Sequence, residues 1–137
     1  MKKISILLII ICIISLTAII FVNHFSYNEN FNCSEIEKVQ YIQYLGEYKV
    51  KEYSDYEELK NISEKLQKLR FYPCNEERLQ ESPTSSINVY YADGSEKKVS
   101  ISGITALVKN ITGNNDTSEE NGVIYYINPI SIKAIFQ

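Results

Sequence analysis

Histidine occurs once in the chain, at His24, and cysteine three times, at Cys12, Cys33 and Cys74. One imidazole and widely spaced thiols cannot supply the clustered ligands of a zinc site, so no metal is expected. A Ser-His-Asp triad would have to draw its base from His24, beside an apolar run. No glycine-rich loop opens a helix, which removes the phosphate cradle of nucleotide-binding folds. With 5 Gly, 3 Pro and 3 Cys in 137 residues, collagen-like, disordered and disulfide-dense classes are excluded. Basic charge is scarce as well. Residues 23–137 carry 12 Lys and Arg against 17 Asp and Glu, a net charge of −5. That balance argues against nucleic acid, whose binders must neutralise phosphates.

What is abundant is apolar and unevenly placed. Ile4 to Val22 is a run of 19 residues without a charge, preceded by Lys2 and Lys3. As a helix it extends roughly 28 Å, near the ~30 Å hydrocarbon thickness of a bilayer. Residues 1–22 therefore read as a transmembrane anchor or uncleaved signal, with the membrane as partner through Ile4–Val22. The two lysines orient the N-terminus to the cytoplasm and the domain to the outside, making a single-pass protein of the cell membrane. A cleaved signal peptide is the competing reading, although the run is long and ends in Phe21-Val-Asn-His-Phe25 rather than at a small-x-small site. Cys12 follows Ile11 and Cys33 follows Asn32, so neither forms a lipoprotein cleavage motif.

Residues 23–34 are polar and Asn-rich, a linker to an extracytoplasmic α+β domain over 35–137. Lys38–Leu45 and Tyr48–Tyr53 are rich in β-branched and aromatic residues, and Gly46-Glu47 between them predicts a hairpin. Alternation places Tyr48, Val50 and Glu52 on one face of the second strand and Lys49 and Lys51 on the other. Asp55 is a helix cap with Glu58 three residues on. Tyr56, Leu59, Ile62, Leu66 and Leu69 then form one apolar stripe, ended by Pro73. Asp93-Gly94 predicts a turn between strands at Ser86–Tyr91 and Lys97–Ile101. Further strands are expected at Ile104–Val108 and Gly122–Ile127, separated by a polar loop from Thr112 to Asn121; Pro129 interrupts the pattern before Ile130–Phe136. The expected fold is α+β: an N-terminal transmembrane helix, then a small antiparallel sheet with one covering helix, in the order β-β-α-β-β-β-β.

Cys33 and Cys74 bracket the first hairpin and helix. A bridge between them would close a loop of about 42 residues and stabilise folding by roughly 4 kcal/mol; two free thiols are the alternative. Chemistry is sparse. Ser95-Glu-Lys-Lys98 has the spacing of a serine acyl-enzyme motif but falls in a predicted turn. Glu57-Glu58 and Glu76-Glu77 read as solvated carboxylates. Of the 11 tyrosines, eight fall on predicted strands, and the pairs Tyr90-Tyr91 and Tyr125-Tyr126 put one ring on each face of the sheet. Tyr90 and Tyr126 are the candidate aromatics of a binding face for a partner protein or cell-wall glycan; ordinary strand packing is the other reading. No catalytic residue or cofactor is expected.

The motifs Ser54-Asp-Tyr-Glu-Glu-Leu59, Pro83 to Ser95 and Tyr125 to Ile135 resemble an uncharacterised family of small membrane-anchored or lipoprotein-type extracytoplasmic domains of Gram-positive bacteria. The resemblance implies topology and location rather than an activity. The expected function is a non-catalytic binding or interaction module at the cell envelope. Alternatives are a small immunity or inhibitor protein acting on a toxin or hydrolase, a structural subunit of a membrane complex, and an enzyme acting on envelope polymers.

Overall fold

The computed structural model describes residues 2–25, 31, 35–112 and 122–136. Its elements are α1 (Lys2–Phe25), β1 (Ile36–Gln43), β2 (Lys49–Tyr53), α2 (Tyr56–Leu66), β3 (Phe71–Pro73), β4 (Ser85–Tyr91), β5 (Glu96–Ser102), β6 (Thr105–Ile111), β7 (Val123–Ile127) and α3 (Pro129–Phe136). The strands form one seven-stranded sheet in the order β2-β1-β4-β5-β6-β7-β3. Every neighbouring pair is antiparallel.

Local chemistry accounts for the hairpins and for α2. Gly46 and Gly94 both sit at φ +81°, a region closed to most L residues, and each lies in the turn that reverses its hairpin. Asp93 tightens the second turn by accepting from the Ser95 backbone N–H and hydroxyl, at 2.8 and 2.6 Å. These bonds hold the Asp93 carboxyl below its ordinary range. At α2 the Asp55 carboxylate accepts from the backbone N–H of Glu57 and Glu58, satisfying two otherwise unpaired donors. Leu59, Ile62 and Leu66 of the predicted stripe are buried, whereas Tyr56 at its start is 73% exposed.

Cross-strand register defines one helix-covered face. Val39, Ile87 and Val89, then Val99, Ile101, Ala106, Val108 and Ile127, are buried there against α2 and α3. Tyr41, Tyr53, Tyr91 and Tyr125 pack at its margins. Phe31, from the segment read as a linker, is wholly buried, its carbonyl accepting from Gln67 and its ring lying under the Lys97 ammonium at 5.2 Å. Because β2 and β3 are opposite edges of the sheet, the α2 connection carries the chain across its full width.

Several expectations are corrected. The sheet has seven strands rather than six, and two helices cover it instead of one. The helix does not run to Pro73: it ends at Leu66, capped by Gln67, and Phe71–Pro73 pairs with β7, where Phe71 is buried edge-on to Tyr125 with ring centroids 5.6 Å apart. Residues after Pro129 form α3. Asn128 accepts from the Ile130 N–H at 3.0 Å, and Pro129 occupies the first helical position, where its missing N–H costs nothing.

The largest correction concerns the N-terminus. Among the described residues, no helix is long and apolar enough to cross a membrane. The transmembrane anchor over 1–22, the membrane as partner through Ile4–Val22 and the single-pass placement with an extracellular domain, all drawn from that run, are therefore overturned.

Candidate functional site

The helix-covered face is not filled evenly. Between α3 and the ends of β1, β2, β4 and β5 lies a cleft of about 460 Å³. Its position follows from the two helices. α2 covers the sheet near β1, while α3 starts beyond β7 and returns over the face, leaving a gap at the end where β1 turns into β2.

Alternation along β2 turns Lys49 and Lys51 toward this gap, since Lys51 pairs with Tyr41 and Lys49 with Gln43, residues of the covered face. Pro129, Ile132, Lys133 and Phe136, spaced i, i+3, i+4 and i+7, supply one face of α3 to it. The cross-strand pair Ser85 and Ile101 contributes from β4 and β5. Phe136 anchors the helix: its ring stacks on Tyr41 at 4.5 Å and 6°, and lies 6.1 Å from Tyr53. The Lys51 ammonium donates to the Phe136 carbonyl, satisfying an acceptor in the last turn at the negative end of the helix dipole.

Electrostatically the cleft differs from the rest of the chain. Among the described residues that line it are three lysines, Lys49, Lys51 and Lys133, and no Asp or Glu, although the chain as a whole is at −3. Lys49 does meet Glu47 at 2.9 Å, but both side chains are more than half exposed, and such a pair is weak and easily exchanged. Hydroxyls of Tyr41, Thr84 and Ser85 and the amide of Gln43 add polar groups, with the Gln43 amide donating to the Leu45 carbonyl at 3.0 Å. Ile101, Ile132 and Phe136 form apolar walls. The arrangement suits a small anion with an apolar portion.

The residues singled out in the sequence lie elsewhere and apart. Tyr90 and Tyr126 share the face opposite the helices, yet two strands lie between them, three inter-strand spacings or about 14 Å, and they are offset by a further six residues along the strands, about 20 Å. Each is already engaged. Tyr90 donates to Gln40 Oε1 at 3.0 Å beneath the Lys38 ammonium, which sits 4.5 Å from its ring. Gln40 in turn donates to Glu52 at 2.6 Å, and Asn88 Oδ1 next to this network is buried without a partner. The Cys74 thiol lies beside the Tyr126 hydroxyl and pushes that phenol above its ordinary value, through a hydrogen bond first and charge second; partial burial and Glu76 add to the rise. Cys74 carries a free thiol, while Cys33, the other half of the expected bridge, lies outside the described residues, as does most of the polar loop from Thr112 to Asn121. Ser95 donates to Asp93 in the turn and Lys98 sits on β5, so the two do not share a helical turn. Among the described residues no three His, Cys, Asp or Glu side chains gather as metal ligands.

The lysines of the cleft were missed. Their only trace in the sequence is the alternation of Lys49 and Lys51 against Tyr48, Val50 and Glu52, which does not tell which face the helices cover.

The chain is thus an α+β protein with an antiparallel sheet covered on one face by two helices, with a basic cleft between α3 and the sheet. No protein family, curated protein or solved structure matches it. That finding overturns the resemblance to membrane-anchored domains of Gram-positive bacteria. Because no described helix is long and apolar enough to cross a membrane, the envelope interaction module and its immunity-protein and envelope-enzyme alternatives also lose their basis.

Proposed function

We propose that the chain is a binding protein for a small anionic molecule, held between α3 and the sheet without chemical conversion. The observation that carries this reading is a cleft of about 460 Å³ lined, among the described residues, by three lysines and no Asp or Glu, in a protein of net negative charge. Its volume falls in the range of small-molecule sites, roughly 300–1,000 Å³. Lysine supplies a point charge for a carboxylate or phosphate without demanding a planar, two-pronged geometry.

Isothermal titration of the full chain with benzoate and phenyl phosphate, each against its neutral amide or alcohol counterpart, tests the proposal. The anions bind and the neutral counterparts do not. Lys49→Gln with Lys133→Gln weakens the anions by about tenfold, the effect of losing one to two kcal/mol of charge-assisted contact. Equal affinity for charged and neutral compounds, or indifference to the double substitution, would refute it.

A further inference from the structure

The two edges of the sheet differ. β3 is three residues long and ends in Pro73, which has no N–H to offer a further strand. β2, at the other end of the strand order, is five residues long, has no proline, and is exposed from Lys49 to Glu52. Its outward N–H and C=O groups, unpaired among the described residues, are a template for another strand. Alternation gives this edge two unlike sides. On the open side stand Tyr48 and Val50, 65% and 46% exposed, with the Tyr44 ring 6.3 Å from that of Tyr48. On the helix-covered side stand Lys49 and Lys51, beside two hollows. One is the cleft of about 460 Å³; the other, of about 240 Å³, shares Lys51 and Phe136 with it and adds Glu58 and Lys65 of α2.

A second copy of the chain does not suit this edge. Two-fold antiparallel pairing of β2 with itself, centred on Val50, sets Lys49 of each copy against Lys51 of the other; centred on Lys49, Lys51 or Glu52, it sets that residue against its own copy. Like charges meet directly in each of these registers, which is destabilising. The same lysines attract a strand whose side chains on that side are acidic, while Tyr48 and Val50 accept apolar side chains on the other. We infer that β2 is the docking edge for an extended acidic segment of a partner protein. Its carboxylate side chains, at every second position, face Lys49 and Lys51, and the aliphatic side chains between them face Tyr48 and Val50. Main-chain hydrogen bonds supply affinity to such an added strand, and the two hollows give specificity by taking alternate side chains. Glu47, 2.9 Å from Lys49 in an exposed pair, is readily exchanged for the incoming carboxylate. The inference shares Lys49 and Lys51 with the anion-binding reading and goes beyond it, because it stands also on the free edge.

The test is fluorescence anisotropy and amide NMR of the full chain with a dye-labelled peptide, Ile-Glu-Val-Glu-Ile-Glu. Controls are its Gln-for-Glu counterpart and two versions N-methylated, one on the Glu residues and one on the Ile and Val residues. The acidic peptide binds with amide shifts running along Lys49–Tyr53, and the Gln counterpart binds about tenfold more weakly. One of the two methylated versions loses binding, because only one set of N–H groups faces β2, and the other keeps it. Tyr48→Ser/Val50→Thr weakens the peptide about fivefold while leaving benzoate binding unchanged. Absence of binding by the acidic peptide, equal binding by its Gln counterpart or by both methylated versions, or shifts confined to β3 would overturn the inference. Dimerisation of the free chain through β2, seen in sedimentation, would overturn it as well. Benzoate that fails to bind while the peptide docks along β2 sinks the small-molecule reading and leaves this inference standing.

Discussion

Replacing Phe136 by Ala removes the side chain that docks α3. Phe136 is 3% exposed, stacks on Tyr41 and approaches Tyr53, and its carbonyl holds Lys51. Truncating a buried Phe costs about 3–5 kcal/mol through lost burial and the cavity left behind. A domain of roughly 100 ordered residues is stable by about 5–15 kcal/mol, so the loss is a large share of the total. With a urea dependence of about 1–3 kcal/mol per M, the midpoint of unfolding falls by roughly 1–5 M. Tyrosine fluorescence is the natural signal, because two of the rings around Phe136 are tyrosines and the chain has no tryptophan. Phe136→Leu, which keeps most of the volume, costs under about 1.5 kcal/mol. A loss below about 1 kcal/mol for the Ala variant would show that α3 is not packed on the sheet, and the cleft it encloses would lose its wall.

Further outcomes follow from local contacts. Asp55→Ala removes the α2 cap and destabilises by about 1 kcal/mol in urea unfolding, whereas Asp55→Asn, which keeps a capping oxygen, costs less than half of that. The Asp93 carboxyl titrates below the ordinary carboxylate range in carbon-detected NMR, and Ser95→Ala moves its midpoint up. Because the folded value is the lower one, the turn's contribution is present at neutral pH and is lost as pH falls through that folded value. Tyr126 titrates above its ordinary value, and Cys74→Ala brings it down; an unchanged midpoint would remove the thiol as the cause.

The parts of the fold legible in the sequence were those fixed by neighbours in the chain. Asp55 and the stripe from Leu59 to Leu66 announced α2, and the glycines at 46 and 94 announced their hairpins, because cap, stripe and positive φ are local requirements. The short strand Phe71–Pro73 was hidden because its partner, Tyr125–Ile127, lies more than 50 residues away. Pro73, read as a helix stop, sits on an edge strand, where a proline is tolerated. The pair Asn128-Pro129 is a helix start that reads in the sequence as a break in a strand, since Ile130-Ser-Ile-Lys-Ala-Ile-Phe136 is as β-prone as it is helical. The cleft was illegible for a further reason. Lys49 and Lys51 become site residues only because α3 returns over their face of the sheet, a fact of packing and not of pattern. Tyr90 and Tyr126 drew notice as exposed aromatics, yet the register puts them at opposite corners with their hydroxyls engaged.

Locating a bound anion tests the central claim most directly. In a crystal of the full chain grown with 4-bromobenzoate, the account predicts an anomalous bromine peak within the cleft between α3 and the sheet, with the carboxylate within hydrogen-bond distance of Lys49 or Lys133. A well-occupied bromine at another site, with the cleft holding only solvent, would contradict it.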